Sequence, residues 1–147
     1  MTSSILVERD RRTLLARFRR LTPEHRQLWG KLSAREMVCH IGDQLAVALG
    51  DIPSEAKGSL LTKAVAKWLV LYVPFPVPKG KVKTVPEMLA TEPSDWKKDT
   101  ARFESLLSRL VNAKNVAPHS VFGKLSHRQW GILAAKHIDH HLQQFGI

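Results

Sequence analysis

The chain has 147 residues, with 23 Lys and Arg against 13 Asp and Glu, and a single cysteine. This length fits one domain, residues 1–147, whose core buries about 68–70% of the surface that the unfolded chain exposes. One cysteine excludes an intrachain disulfide, and the charged start of the chain contains no apolar signal region. We therefore expect a cytoplasmic protein.

The formal net charge of +10 attracts polyanions in general, but its distribution argues against specific nucleic-acid binding. Basic residues are spread around helical faces, without the aromatic platforms on which single strands stack. Examples are Arg9, Arg12, Arg19 and Arg35. We expect the charge to attract a small anionic substrate, and we expect neither a specific nucleic acid nor a membrane as partner.

Two helices are predicted in the first third of the chain. Apolar residues recur at helical spacing from about residue 4 to residue 20, which predicts the first helix. A threonine–proline pair at 22–23 then indicates a short turn. The second helix begins at a capping box, in which Ser33 precedes Glu36 by three residues, and it ends near Gly50.

Residues 51–93 contain six of the eight prolines and are the least regular part of the sequence. Within them, residues 59–73 carry an apolar stripe that predicts a short extra helix, closed by the proline-rich run 74–78 and followed by a solvated loop at 79–83. The helix is too short and too rich in lysine to span a membrane. It can pack on the other helices, form a lid or join two copies of the chain, and we expect a homodimer. The stripe consists of Leu61, Ala64, Val65, Trp68, Leu71 and Tyr72.

Two longer helices are predicted in the last third of the chain. One begins with Ser94 as its N-cap. The other begins at a second capping box, formed by Ser126 and Gln129. No strand-like alternation competes, so the predicted fold class is all-α. The inner face of the last helix carries Trp130, Leu133, Ala134, His137, His141 and Gln144.

Two histidines of the last helix have metal-binding spacing. Positions i and i+4 share a helix face about 6 Å apart along the axis, so His137 and His141 can both reach one ion. Two buried imidazoles side by side are costly unless something satisfies both, and a metal does so. Protein-held transition metals usually take three or more ligands. His40, on the inner face of the second helix, is the best third candidate, although a lone histidine on an apolar face is more often a hydrogen-bonded core residue.

Three blocks of sequence carry a resemblance to a known superfamily. They are LWGKLSAREM at 28–37 with the Cys-His pair at 39–40, FGKLS and QWG within 122–131, and KHIDHHLQQFG at 136–146. In this order they resemble the DinB-like metalloenzyme superfamily, close to an uncharacterised family, DUF1569. The resemblance implies a four-helix bundle with an unusual crossover connection and a divalent metal such as Zn, Ni or Fe. Carried over, the metal ligands are His40, His137 and His141.

Two residues near the predicted ligands receive supporting roles. His140 can pair with His137 at i, i+3, but the resemblance has a commonly aromatic residue just before the last ligand. We therefore expect His140 either to contact a metal-binding histidine without binding the metal itself or to face the substrate. Gln144 lies one turn beyond His141 and orients a ligand or a bound water, unless it is simply an exposed glutamine at the helix end.

Two residues of the second helix flank the candidate ligand His40. Asp43 is the nearest carboxylate, and we expect it to accept the second N–H of the imidazole. Cys39 points about 100° away from His40 around the helix. We interpret it as a small core residue rather than a thiolate ligand.

Three neutral histidines leave an ion its full charge and an open position, which acidifies a bound water or thiol. The resemblance implies a metal-dependent enzyme acting on a small molecule, either an S-transferase that uses a low-molecular-weight thiol or a hydrolase. No separate strong general base is evident, so no catalytic residue is assigned. The alternative is a non-catalytic, stress-linked binding or interaction module whose metal is structural or absent.

Overall fold

The computed structural model describes residues 2–55, 58–73, 79 and 84–147. Within these residues the protein is all-helical, as predicted, with five α-helices, one 3-10 helix and no β-strand. None of the helices in these ranges is long and apolar enough to cross a bilayer. The α-helices are α1 (Glu8–Phe18), α2 (Ala34–Leu49), α3 (Leu60–Tyr72), α4 (Trp96–Val111) and α5 (His127–Gln144), and the 3-10 turn Pro86–Leu89 precedes α4.

Helix α1 begins later than the sequence indicated. The preceding residue Ile5 is fully buried, and its backbone N–H donates to the carbonyl of Gly131 at 3.1 Å. Because this bond ties the segment to α5, the segment does not continue the helix. An ion pair between Arg17 and Asp139, with N and O 2.5 Å apart, joins the same two helices further along. Helix α1 therefore packs against α5.

Helix α2 is the most buried element of the chain. Its predicted capping box is present, because the Ser33 hydroxyl accepts the Glu36 N–H and the Glu36 carboxylate accepts the Ser33 N–H. Every residue from 37 to 48 is buried, since α2 contacts α4, α5 and the 3-10 turn. His40 and Asp43 are thus polar groups in the protein interior, where each needs a partner.

Helix α3 lies against α5, but with its apolar stripe turned outward. Of the predicted stripe only Leu71 is buried, while Trp68 remains 59% exposed. The side that faces the protein combines Leu71 with polar contacts: the Lys67 ammonium donates to the Lys124 carbonyl, and the Lys136 ammonium donates to the Val70 carbonyl at 2.6 Å. The predicted helix at 59–73 is confirmed. The predicted proline-rich closure at 74–78 lies outside the described residues, as does the predicted loop apart from residue 79.

Helix α4 has a different N-cap from the one predicted. The cap is Asp95, whose carboxylate accepts the Lys98 N–H at 3.0 Å. Ser94 cannot cap, because it donates both its N–H and its hydroxyl to the buried carboxylate of Asp99. The apolar side of α4, centred on 103–110, packs on α2.

Helix α5 begins at the predicted capping box of Ser126 and Gln129. Trp130 is fully buried, and its indole N–H donates to the Ala117 carbonyl at 2.8 Å. The rest of the predicted inner face is buried or partly buried. This orientation directs His137 and His141 toward α2.

Candidate metal centre

Three histidine rings converge where α2 faces α5. The Nε2 atoms of His40 and His137 lie 2.9 Å apart, and those of His137 and His141 lie 3.2 Å apart. One nitrogen from each ring lies within 4.8 Å of the other two. The structure therefore brings together the three residues that the sequence singled out.

The ring of His40 is oriented by a backbone carbonyl. Its Nδ1 lies 2.7 Å from the oxygen of Met88. A carbonyl oxygen only accepts, so Nδ1 must carry the proton. In a neutral ring the Nε2 atom then keeps its lone pair, and this lone pair faces the two rings of α5.

The ring of His141 is oriented by a side-chain amide. The Gln144 amide nitrogen donates to the carbonyl of Trp29 at 2.7 Å, which turns the amide oxygen toward Nδ1 of His141 at 2.8 Å. Nδ1 of His141 therefore carries the proton, and Nε2 keeps its lone pair. The loop reaches Gln144 only because Gly30 has φ +80° and lacks a Cβ, which would collide with the amide nitrogen.

His137 lies between the other two rings and has no satisfactory tautomer of its own. Its Nδ1 is buried without a hydrogen-bond partner among the described residues. With the proton on Nε2, one N–H faces two lone pairs. With the proton on Nδ1, that buried N–H has no acceptor, and the Nε2 lone pairs of the three rings face each other. A cation between the rings removes the repulsion, because all three Nε2 atoms then face positive charge.

Burial keeps the three rings neutral. Desolvation lowers the pKa of His40, lowers the pKa of His141 to about 3, and lowers the pKa of His137 well below its usual value. Neighbouring histidines lower the pKa values of His137 and His141 further. Metal ions bind the neutral form of imidazole, so at neutral pH no proton has to leave.

The donor set and its spacing fit a transition metal. Imidazole nitrogens bind Zn²⁺ at about 2.0–2.1 Å in tetrahedral geometry, which places neighbouring ligand atoms roughly 3.3 Å apart. Two of the three Nε2 separations here are 2.9 and 3.2 Å, and the ligand nitrogens all lie within 4.8 Å of one another. The group contains only imidazoles among the described residues, a donor set that suits Zn, Ni or Fe better than Mg or Ca. The cluster can therefore hold one divalent transition-metal ion.

A family model described as "Protein of unknown function (DUF1569)" matches residues 8–146. This span covers almost the whole chain and includes all three histidines. The chain belongs to this family. No curated protein and no solved structure matches it.

The prediction that Asp43 accepts the second N–H of His40 is wrong in this DUF1569 chain. The carboxylate of Asp43 is fully buried and accepts the N–H and hydroxyl of Thr91 at 2.8 and 2.6 Å, and a guanidinium N–H of Arg102 at 2.9 Å. The second N–H of His40 goes to Met88 instead. The 3-10 turn brings a carbonyl nearer to that N–H than the carboxylate three residues along α2.

Two other residues agree with their predicted surroundings. Gln144 is 4% exposed and contacts His141, so it is not a free glutamine at the helix end. Cys39 is buried outside the histidine group, and burial raises its pKa to about 11. Its burial among apolar residues is that of a core residue.

The outer side of the centre contains groups with their own chemistry. The ring of His140 lies 5.1 Å from that of His141 and meets the ring of Trp29 edge-on at 6.1 Å. The ammonium of Lys79 lies 4.3 Å from the centroid of the same indole ring. The sequence indicated His140, but not the carbonyls of Trp29 and Met88, because a backbone oxygen leaves no signature in residue types.

Proposed function

We propose that this DUF1569 protein is a divalent-metal-dependent enzyme whose ion is held by His40, His137 and His141. The observation that supports this most is the convergence of three neutral imidazoles, two of them with Nε2 lone pairs fixed by Met88 and Gln144. Zinc, nickel and iron are the candidate ions, since imidazole suits all three.

The proposed fold is the DinB-like four-helix bundle, with its unusual crossover connection and with α3 as an extra helix. Helix α2 packs on α4 and α5, and α1 packs on α5, which are pairings that such a bundle needs. Metal sites in helical bundles are built from side chains on facing helices. The histidines of α2 and α5 have this arrangement.

The proposed reaction is either transfer of a low-molecular-weight thiol to a small molecule or hydrolysis of a small molecule. When bound, a divalent ion with three imidazole ligands and an open position lowers the pKa of a thiol or water. Burial, together with the charge of Lys79, lowers the pKa of His140 despite the nearby carboxylate of Asp139. A neutral His140 beside His141 is placed to accept the proton that the nucleophile loses.

The proposed substrate is small and anionic. The Lys79 ammonium beside the indole of Trp29 and the ring of His140 gives the outer side of the centre a cation, an aromatic edge and a neutral imidazole. A carboxylate-bearing thiol or ester has the charge that such a surface attracts. Ion pairs already engage Arg12 and Arg19 of the first helical segment, which supports weak rather than specific binding of nucleic acid.

Metal analysis and a paired activity assay test the proposal. The purified protein should hold one Zn, Ni or Fe per chain and should accelerate either conjugation of a thiol to an electrophile or hydrolysis of a generic ester. His140→Gln should keep the metal and slow the reaction by roughly 10²-fold, the low end of what a general base supplies. A protein that holds metal and accelerates neither reaction would be no enzyme of this class.

A non-catalytic interaction module is the second candidate. The outward apolar face of α3 favours it, since exposed apolar patches of this kind mark interaction surfaces. We propose a second copy of the chain as the occupant, in a cytoplasmic homodimer. Metal bound without turnover, together with a stable dimer, supports this candidate over the enzyme.

A further inference from the structure

Asp43 is a fully buried carboxylate whose hydrogen bonds come from Thr91 and Arg102 rather than from the histidine cluster. Its three hydrogen-bond donors are the N–H and hydroxyl of Thr91 and a guanidinium N–H of Arg102. A buried charge is retained at low cost only when it is paired and hydrogen-bonded, as here. The question is what this network holds in place.

The network anchors the segment that orients His40. Thr91 follows Met88 by three residues, and Asp43 follows His40 by three residues. The segment 88–91 is thus bonded to α2 at two points one turn apart: Met88 to the imidazole at 2.7 Å, and Thr91 to the carboxylate at 2.6 and 2.8 Å. Movement of the Thr91 end would also displace the Met88 carbonyl.

Arg102 reaches the carboxylate by crossing α2 at a glycine. A Cβ at Gly42 would lie 2.9 Å from a guanidinium nitrogen of Arg102 and 3.8 Å from the Leu106 side chain. Glycine at this position lets α4 supply the charge that balances Asp43. The anchor therefore joins α2, α4 and the segment after the 3-10 turn.

We infer that Asp43, Thr91 and Arg102 are positioning residues that hold the Met88 carbonyl against His40 and so keep the Nε2 lone pair of His40 directed at the other two histidines. Without this anchor, His40 can move its proton to Nε2 and donate to His137, 2.9 Å away. That tautomer blocks the metal-binding nitrogen. The inference rests on the proposed metal centre only for its effect on affinity, not for its effect on the tautomer.

Thr91→Val tests the inference, because it removes the hydroxyl donor and keeps the branched shape. Nitrogen NMR of the labelled imidazoles in the metal-free protein reports the His40 tautomer, and a Zn²⁺ titration reports affinity. We expect Thr91→Val to leave a mixture of tautomers and to weaken Zn²⁺ binding about 10-fold, the low end for loss of an outer partner of a ligand. Thr91→Ser should restore both readouts.

Thr100→Val is the matched control, since Thr100 is also partly buried and donates its hydroxyl to the Trp96 carbonyl. It should leave tautomer and affinity unchanged. Arg102→Gln is measured in parallel, as a second variant in case Thr91→Val folds poorly. It should change the His40 tautomer and the Zn²⁺ affinity in the same direction as Thr91→Val. A wild-type tautomer and affinity in both variants would overturn the inference. A tautomer change in a protein whose wild type binds no Zn²⁺ would uphold the positioning role and reject the proposed metal centre.

Discussion

Helices α3 and α5 have similar sequence patterns, but the apolar face of α5 points to the core and that of α3 points to solvent. Each begins at a serine cap, and each carries apolar residues at helical spacing. In α5 this face is buried and includes the histidines, whereas in α3 it faces solvent, with Leu61 76% and Tyr72 52% exposed. Periodicity identifies the apolar face of a helix, but the available neighbours decide whether that face is covered.

Polar contacts explain why α3 is turned this way. Its inner side offers the Val70 carbonyl to the Lys136 ammonium of α5 and sends the Lys67 ammonium to the Lys124 carbonyl. Leu71 is the one buried residue among those of α3, and Val70 packs partly buried against the core. Helix α5, by contrast, packs against both α1 and α2, so its apolar face is covered by neighbouring helices.

The largest expected effect is the loss of metal on removal of a histidine from the cluster between α2 and α5. His40→Ala and His141→Ala should each lower metal affinity by at least about 100-fold, because two remaining imidazoles do not make a closed site. His25→Ala is the control, since His25 bonds to Thr22 in a surface turn and is not part of the histidine cluster. Metal content after dialysis measures the change. Equal occupancy in the wild type and the His40→Ala/His141→Ala double variant would rule out the site.

The second effect compares the two helices through one residue type. Trp130→Ala in α5 removes a fully buried ring and should lower the free energy of unfolding by about 3–5 kcal/mol. Trp68→Ala in α3 removes a ring that is 59% exposed and should change it by less than about 0.5 kcal/mol at low protein concentration. Urea unfolding measures both. Similar losses would mean that α3 is covered within its own chain.

The sequence predicts the parts of the fold that depend on local patterns. Both capping boxes and the inner face of α5 follow from residue type and spacing, and the structure has them where predicted. The start of α1 could not be predicted, because it depends on Ile5 bonding to a carbonyl 126 residues away in the sequence. The N-cap of α4 was missed for a similar reason, since Ser94 is engaged by Asp99.

The candidate site divides in the same way. His40, His137 and His141 carry their chemistry in their side chains, so spacing and resemblance find them. Met88 enters through a carbonyl, which any residue type provides, and its position depends on a 3-10 turn in a proline-rich region. Asp43 was assigned to the wrong partner because distance along a helix does not reveal what a neighbouring segment offers.

A third, smaller effect concerns pH and a histidine packed against α5. The ring of His119 accepts N–H bonds from Val121 and Phe122 through Nδ1 and lies 5.2 Å from the ring of Trp130. Burial lowers its pKa to about 4, although the carboxylate of Glu87 raises it slightly. The unfolded chain therefore binds more protons than the folded one between about pH 6.5 and pH 4, and stability must fall as pH falls through that window.

His119 should account for at most about 2 kcal/mol of the stability lost between pH 7.5 and pH 5.0. Urea unfolding of metal-free protein at the two pH values measures the total loss. His119→Gln should be less stable at pH 7.5 but should lose less on acidification. An identical pH dependence in the variant and the wild type would show that this ring is not kept neutral by the fold.

The smallest effect on the fold itself, and the sharpest test of the comparison, concerns self-association through α3. Leu61, Val65, Trp68 and Tyr72 recur at i, i+4, i+7 and i+11 with no charge among them, and all are at least half exposed. Leu60 and Leu69 of the same helix, 85% and 49% exposed, add to this exposed apolar surface, and such surfaces mark interaction sites. Lys67 of α3 donates to the Lys124 carbonyl, so its ammonium is engaged within its own chain.

Trp68→Glu should therefore convert a dimer to a monomer, because a carboxylate at the centre of this face would be buried without a partner. Leu71 is unsuitable for this test, since it is fully buried within its own chain and its replacement would disturb the contact between α3 and α5. Leu89→Glu, at a position 50% exposed outside α3, is the control and should remain dimeric. Light scattering gives the mass directly. A monomeric wild type would exclude a second copy as the occupant. The purified protein already contains every copy that such a dimer needs, so no other partner has to be added.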